Sequence, residues 1–337
     1  MLACALIAAA CESSAAMTEP QPPQVTEEVA SARAELGRLL FYDPILSSDA
    51  EVACATCHSE HWGMGDGLPL AIGVGAGSLV GPGRHGDAIG RRNAPTLWNV
   101  GARGALFWDG RESTLEEQAL APFDNERELA LPVEEALSAV ADVPEYVELF
   151  DVAFEDAAPR ISEVTLGEAL AAFQRTLVSD HAPYDAYVAG DSGALSDPMR
   201  QGLELFGELG CEGCHEPPLF QSDRYARRLL EVPEDLGRFE VTADDEDRGA
   251  FRVPTLRNTR DTAPYFHDGS AQTLREAVAI EVDNQVAAGQ RRLSDGELDA
   301  LTELINKGLR DLAHNPDRPE RVPSGLAIPR DGFRIPR

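Results

Sequence analysis

Cys54-Ala55-Thr56-Cys57-His58 recurs as Cys211-Glu212-Gly213-Cys214-His215, and this repeated pentapeptide decides how the chain folds. Cys-x-x-Cys-His is the signature of covalent c-type haem attachment. Two thiols one turn apart add to the two vinyl groups of one haem. The histidine that follows is thereby set beneath the iron as its proximal ligand. Three other uses of a cysteine pair compete with this one. A structural zinc site needs four ligands, and neither motif brings the second histidine pair that a Cys2His2 site requires. A dithiol of the thioredoxin kind needs no following histidine and sits in a βαβ setting that the sequence lacks. Disulfide pairing is the third. Of the six cysteines only Cys4 and Cys11 fall outside the motifs, in the N-terminal segment.

Working outward, each motif sits in a longer degenerate repeat. Leu39-Leu40-Phe41 precedes the first and Leu203-Glu204-Leu205-Phe206 the second. After the first come Asn93-Ala94-Pro95-Thr96-Leu97-Trp98-Asn99, Phe107-Trp108-Asp109-Gly110-Arg111 and Thr114-Leu115-Glu116. After the second come Val253-Pro254-Thr255-Leu256-Arg257-Asn258, Phe266-His267-Asp268-Gly269-Ser270 and Thr273-Leu274-Arg275. Pro95 to Asp109 and Pro254 to Asp268 both span 14 residues, and Asp109 to Leu115 and Asp268 to Leu274 both span 6. Two equivalent haem modules follow from the matched offsets.

Secondary structure reads as mostly helix. Helical spacing covers 28–40, 132–150, 161–178, 196–209, 273–281 and 294–307, with Ser196 as an N-cap and Ser294-Asp295-Gly296-Glu297 as a capping box. Strand patterns are scarce. The stretch 72–90 is a glycine-rich loop with little to pack, so mobility is expected there. The modules join between Ser179 and Ser196, and the Pro- and Arg-rich tail after His314 is expected to lie over the surface. The organisation expected is 1–27 export segment and tether, 28–180 first module, 181–337 second module with the tail.

Met1 to Ala10 is apolar and small, like the hydrophobic region of an export signal, and Ala8-Ala9-Ala10-Cys11 resembles a bacterial lipobox. A plain signal peptide is the alternative, since the usual basic start is missing. No internal apolar run reaches membrane-spanning length. The export segment predicts a secreted protein, and in the lipobox reading its membrane contact is through a lipid on Cys11. With 29 basic and 58 acidic side chains the formal charge is −29. That surface repels nucleic acid and anionic lipid and suits a basic partner.

Phe107-Trp108-Asp109-Gly110-Arg111 followed by Leu115-Glu116-Glu117-Gln118, and Pro264-Tyr265-Phe266-His267-Asp268-Gly269-Ser270, together with the two haem motifs, resemble the bacterial di-haem cytochrome c peroxidase superfamily. That superfamily includes the methylamine-utilisation maturase, which builds tryptophan tryptophylquinone. The resemblance covers about residues 30–312. It implies an all-α chain of two cytochrome c-like domains, each with one covalent c-type haem, and a calcium ion at their interface. The first haem meets hydrogen peroxide and the second relays electrons to it. Residue by residue, it implies His58 and His215 as proximal ligands and Trp108 between the haems. It makes Gln118 and Glu128 the distal pair that positions peroxide and moves its proton. Asn93, Thr262 and Pro264 become calcium ligands. Read without the resemblance, Trp108 is an ordinary core indole and Glu128 a solvated acid beside Glu126. Glu116 and Glu117 are the fallback acids.

The sequence departs from the family pattern twice. Where many members carry a histidine that blocks the peroxide iron, Ala71-Ile72-Gly73-Val74-Gly75 places Val74, which cannot ligate iron. The first haem is then expected to be open, unless His61 or His85 substitutes. Where the peroxidases supply a distal methionine to the second haem, and the maturase a tyrosine, an ungapped count reaches Glu281. Its alternatives are a solvated helix residue and a vacant iron position. An anionic ligand there would lower the potential. Three functions remain. One is a peroxidase fed by a small cytochrome c or cupredoxin. Another is a maturase-like oxidase acting on a residue of a partner protein. The third is an electron carrier without catalysis, against which the Gln118 and Glu128 pair argues.

Overall fold

The computed structural model describes residues 27–228 and 234–331, so the expectations for Cys4, Cys11 and the export segment lie outside the described residues. In chain order the helices are α1 (Glu27–Tyr42), α2 (Cys54–Cys57), α3 (Leu115–Leu120), α4 (Val133–Ala141), α5 (Pro144–Ala153), α6 (Glu163–Arg175), α7 (Pro183–Val188), α8 (Asp197–Glu208), α9 (Phe239–Thr242), α10 (Leu274–Ala287) and α11 (Asp295–Glu303). A π-turn, Leu304–Gly308, extends α11. Strands are two-residue fragments. β1 (Leu79–Val80) runs parallel to β4 (Arg330–Asp331), and β2 (Tyr225–Ala226) antiparallel to β3 (Phe251–Arg252).

Local chemistry sets the helix ends. Ser196 caps α8 by accepting from Met199 N, and Ser294 forms the expected capping box with Glu297. The single helix expected over 132–150 is instead two, α4 and α5. Val143, in extended conformation, precedes Pro144 at the first position of α5. The ring has no N–H to continue α4 and disfavours helix at the residue before it.

Each half packs one helix pair at close range. α1 crosses α6 at Gly37, where an added Cβ would lie 1.8 Å from the Ala169 carbonyl oxygen. α8 crosses α11 at Gly202, with the Ala300 oxygen 2.3 Å from such a Cβ. Around the first crossing lies a core containing Leu36, Leu40, Phe41, Tyr146, Phe150, Leu170 and Phe173. Around the second lies a core of Phe206, Phe220, Val278, Leu301 and Leu304.

The sequence repeat is also a repeat of backbone geometry. Asn99 and Asn258 are both left-handed at φ 58, and Phe107 (φ 64) matches Phe266 (φ 72). Leu106 bridges Glu112 as Tyr265 bridges Ala271. Thr114 and Thr273 cap α3 and α10 with the same φ −126 and ψ 150.

One expectation fails for a physical reason that composition hides. The glycine-rich stretch 72–90 has something to pack. The buried Arg84 guanidinium donates to the carbonyls of Ile72 (3.0 Å), Gly73 (2.7 Å), Leu79 (2.7 Å) and Gly77, so one side chain gathers the loop. The tail, attached to the second module by sequence, returns over the first. Val322 enters the first core, Arg318 pairs with Glu60, and the Ser324 hydroxyl donates to Asp43 at 2.6 Å.

Candidate functional site

The first motif is a single helical turn. Thr56 Oγ1 accepts from Ala53 N at 2.9 Å, and His58 caps the turn through Cys54 O. This turn sets the two thiols on one side. Both cysteines are half-buried. Burial pushes the Cys54 thiol up to about 12 and the Cys57 thiol higher still. Neither is the low-pKa thiolate that dithiol exchange requires. His58 Nδ1 lies 3.1 Å from Met64 O, and burial lowers its pKa. The ring is therefore neutral, with its proton on Nδ1 and Nε2 free to bind a metal.

The second motif repeats the arrangement. His215 Nδ1 lies 3.1 Å from Pro254 O and 3.2 Å from Phe220 O, and burial brings its pKa down to about 4. Pro254 is the repeat mate of Pro95, whose carbonyl also bonds His58. Cys211, Cys214 and His215 line a cavity of about 1170 Å³. Its walls include Phe206, Leu256, Val278 and Ile305, with Arg103 and Arg252 at the polar side. Arg252 Nη1 is buried without a partner, and burial pulls Arg103 down to about 10. An apolar slot with two thiols, a neutral imidazole and underpaired cations suits a flat apolar macrocycle bearing carboxylates. The residues present therefore fit a c-type haem.

Glu128 stands beside the first motif, and Gln118 lies on α3. The Glu128 carboxylate is close enough to act on both Cys54 and Cys57. Burial raises its pKa, against the pull of Arg111 and of Asn125, whose Nδ2 donates to Glu128 Oε1 at 2.6 Å. Gln118 Oε1 is buried and has no hydrogen-bond partner. The fallback acids have structural duties. Glu116 pairs with Arg175 at 2.8 Å, and Glu117 accepts from the Thr114 cap. The Val74 amide donates to Glu128 O at 3.0 Å, which puts Val74 on the Glu128 side. His61 faces Glu60 and Asp331 instead, and His85 is exposed.

The halves meet through reciprocal bonds. Asn93 N donates to His267 O at 2.7 Å, and Arg252 N donates to Trp108 O at 2.8 Å. Asn93 matches Arg252 in the repeat, and Trp108 matches His267, so the contact is isologous. Trp108 and His267 meet edge to face at 6.4 Å, His267 stacks on Phe251 at 3.7 Å, and Trp108 Nε1 donates to Asn93 O at 2.9 Å. Trp108, Asn93, Thr262 and Glu281 all line the cavity of the second motif, and buried Pro264 is not part of that lining. Glu281 adds to the burial that pushes Cys211 up to about 11. Sequence reasoning missed His267 and Arg252, although the repeat marks them as mates of Trp108 and Asn93. It also missed Asp66, a buried carboxyl with one unpartnered oxygen that burial lifts to about 7. A lone Asp between glycines gives no signal.

A family model described as di-haem cytochrome c peroxidase matches residues 31–193. Cytochrome c551 peroxidase of Pseudomonas aeruginosa is 36% identical over 307 residues, covering 88% of this chain and 85% of its own. Methylamine utilization protein MauG of Methylorubrum extorquens is 34% identical over 310 residues, covering 91% and 82%. Among solved structures, a MauG-like protein associated with microbial copper homeostasis superposes with a TM-score of 0.72 at 26% identity, over 91% of this chain and 97% of that one. With two haem-attachment motifs held alike and relatives matched along most of its length, the chain belongs to the di-haem cytochrome c peroxidase family, a family of oxidoreductases.

Proposed function

We propose that the chain is a di-haem peroxidase of two cytochrome c-like domains, reducing hydrogen peroxide in its first half with electrons passed through its second. The observation that carries this is Glu128, a desolvated carboxylate close enough to act on both thiols of the first motif. Cys54, Cys57 and His58 would hold one haem, and Cys211, Cys214 and His215 the other. When bound, each group supplies a redox-active iron. The protein's part is positional. Gln118 Oε1 accepts a hydrogen bond from peroxide, and the Glu128 carboxylate takes and returns its proton. Trp108 and His267 fill the contact between the halves.

Glu281 is the ligand proposed for the second iron. Helix α10 offers no methionine, and Leu274, Ala277, Val278, Glu281 and Val282 form its cavity-facing stripe. That departure favours a second reading, in which peroxide oxidises a residue of a partner protein, as with the maturase relative. Asn93, Thr262 and Pro264 are the oxygen donors proposed for calcium, the hard-ligand chemistry that ion takes, with water completing its shell. A periplasmic location with lipid on Cys11 is part of the proposal. A small cytochrome c or cupredoxin with a basic face suits the net charge of −29.

The test is haem content joined to activity. Wild-type protein matured in a cytochrome c-competent host should carry two haems by intact mass and consume peroxide. Cys57→Ala should keep the second haem and lose peroxide consumption. One haem or none in wild type overturns the reading.

A further inference from the structure

Away from the haem motifs, the segments that leave the last helix of each half come together. Asn99 N donates to Leu177 O just after α6, as Asn258 N donates to Leu309 O after the π-turn that follows α11. The residues that follow, Asp180-His181 and Asp311-Leu312-Ala313-His314, converge at one point. The buried Asp311 carboxylate fixes them. Its Oδ2 accepts from Asp180 N (3.0 Å), His181 N (2.9 Å) and His314 Nδ1 (2.9 Å), and its Oδ1 accepts from Ala313 N (2.8 Å).

We propose that Asp180, His181, Asp311 and His314 form a surface site for a divalent first-row transition ion of the zinc type, which ties the two exit segments together. One donor atom from each of the four lies within 4.8 Å of the others. Asp180 Oδ1 is 2.5 Å from His181 Nδ1 and 3.6 Å from His314 Nδ1, and His314 Nδ1 is 2.9 Å from Asp311 Oδ2. With metal–ligand bonds of about 2.0–2.2 Å, neighbouring tetrahedral ligands sit roughly 3.3 Å apart. The observed separations bracket that value, so small side-chain rotations close the set around one ion.

The donor set selects the ion. Two imidazoles and two carboxylates suit zinc, copper or nickel, whereas calcium and magnesium take all-oxygen shells. The two carboxylates neutralise a divalent charge, and the imidazoles bind without adding any. Access is open, since the side chains of His181 and His314 are 63% and 43% exposed, while Asp311 is fully covered. Three donors can therefore move toward an ion that the fourth holds at the junction. The site shares no residue with either haem motif, so it stands apart from the peroxidase reading.

Zinc titrated calorimetrically into metal-stripped, haem-loaded protein should show one site per chain with a dissociation constant in the micromolar range. Saturating zinc should raise the melting temperature, because the ion binds only the folded junction. His181→Ala/His314→Ala, which removes two exposed side chains, should bind at least about tenfold more weakly and lose the melting shift. Copper(II) in wild type should show nitrogen hyperfine coupling that the double variant lacks. Wild-type protein that takes up no zinc at millimolar concentration overturns the proposal. So does a double variant that binds within tenfold of wild type.

Discussion

A carboxylate that moves the peroxide proton works only when ionised, and burial raises the Glu128 pKa. Peroxide turnover should therefore fall off on the acid side at a pH above that of an ordinary glutamate. Glu128→Gln should lower the rate by about 10²- to 10⁴-fold while both haems stay attached. Steady-state pH profiles of the two proteins check both points. The motif match named Glu128, but its burial, and the Arg111 and Asn125 that pull against it, meet only in the fold. Arg257 is the opposite case. In the repeat it occupies the place of Trp98, a core indole, yet it is 1% exposed and clasps Asp185 through two bonds of 2.6 and 2.7 Å. Nothing in the pattern announces an arginine inside. Asp185→Ala leaves that cation buried and unpaired, so unfolding free energy should drop by about 3–5 kcal/mol in denaturant melts.

At the scale of elements, the longer helices were legible, save that 132–150 splits at Pro144, and their crossings were not. Caps at Ser196, Thr273 and Ser294 mark where helices begin. Gly37 and Gly202 look like weak points in helical patterns, because a glycine names no partner. In the fold they are where α1 meets α6 and α8 meets α11. Gly37→Ala would drive a methyl to 1.8 Å from the Ala169 oxygen, and backbone must move. The loss should reach at least about 3 kcal/mol, the upper end for overpacked sites. Gly202→Ala, at 2.3 Å from the Ala300 oxygen, should be milder. Thermal melts of the two variants order the effects. The loop 72–90 was misread for a related reason. Its glycines are visible in the sequence, but the four carbonyls that converge on Arg84 are not.

The whole molecule is two like halves joined by an isologous contact and braced by charge. Arg92 bonds Asp109 at 2.6 Å within the first half and Asp235 at 2.7 Å across that contact. Burial works against ionising Asp235, yet Arg92 prevails and holds its pKa at about 2. An aspartate of the unfolded chain titrates near 3.9. This carboxylate therefore stabilises in full above about pH 4, and its contribution is lost as pH falls through about 2. Acid titration followed by tryptophan fluorescence should show that component, and Asp235→Asn should remove it. The halves were legible because the repeat keeps its offsets. The reciprocal bonds of Asn93 and Arg252 were not, since they require knowing how one half faces the other.

On the proposed reading the first half takes peroxide as folded, because the segment 71–75 that bonds Glu128 O through Val74 N carries no histidine. Stopped-flow absorbance of the fully ferric protein, mixed with one equivalent of hydrogen peroxide, tests that claim most directly. Spectral change at once, in protein that has received no electron, is the predicted result, and Val74→His should abolish it. A ferric wild-type protein that stays silent for seconds and reacts only after one-electron reduction would contradict the account.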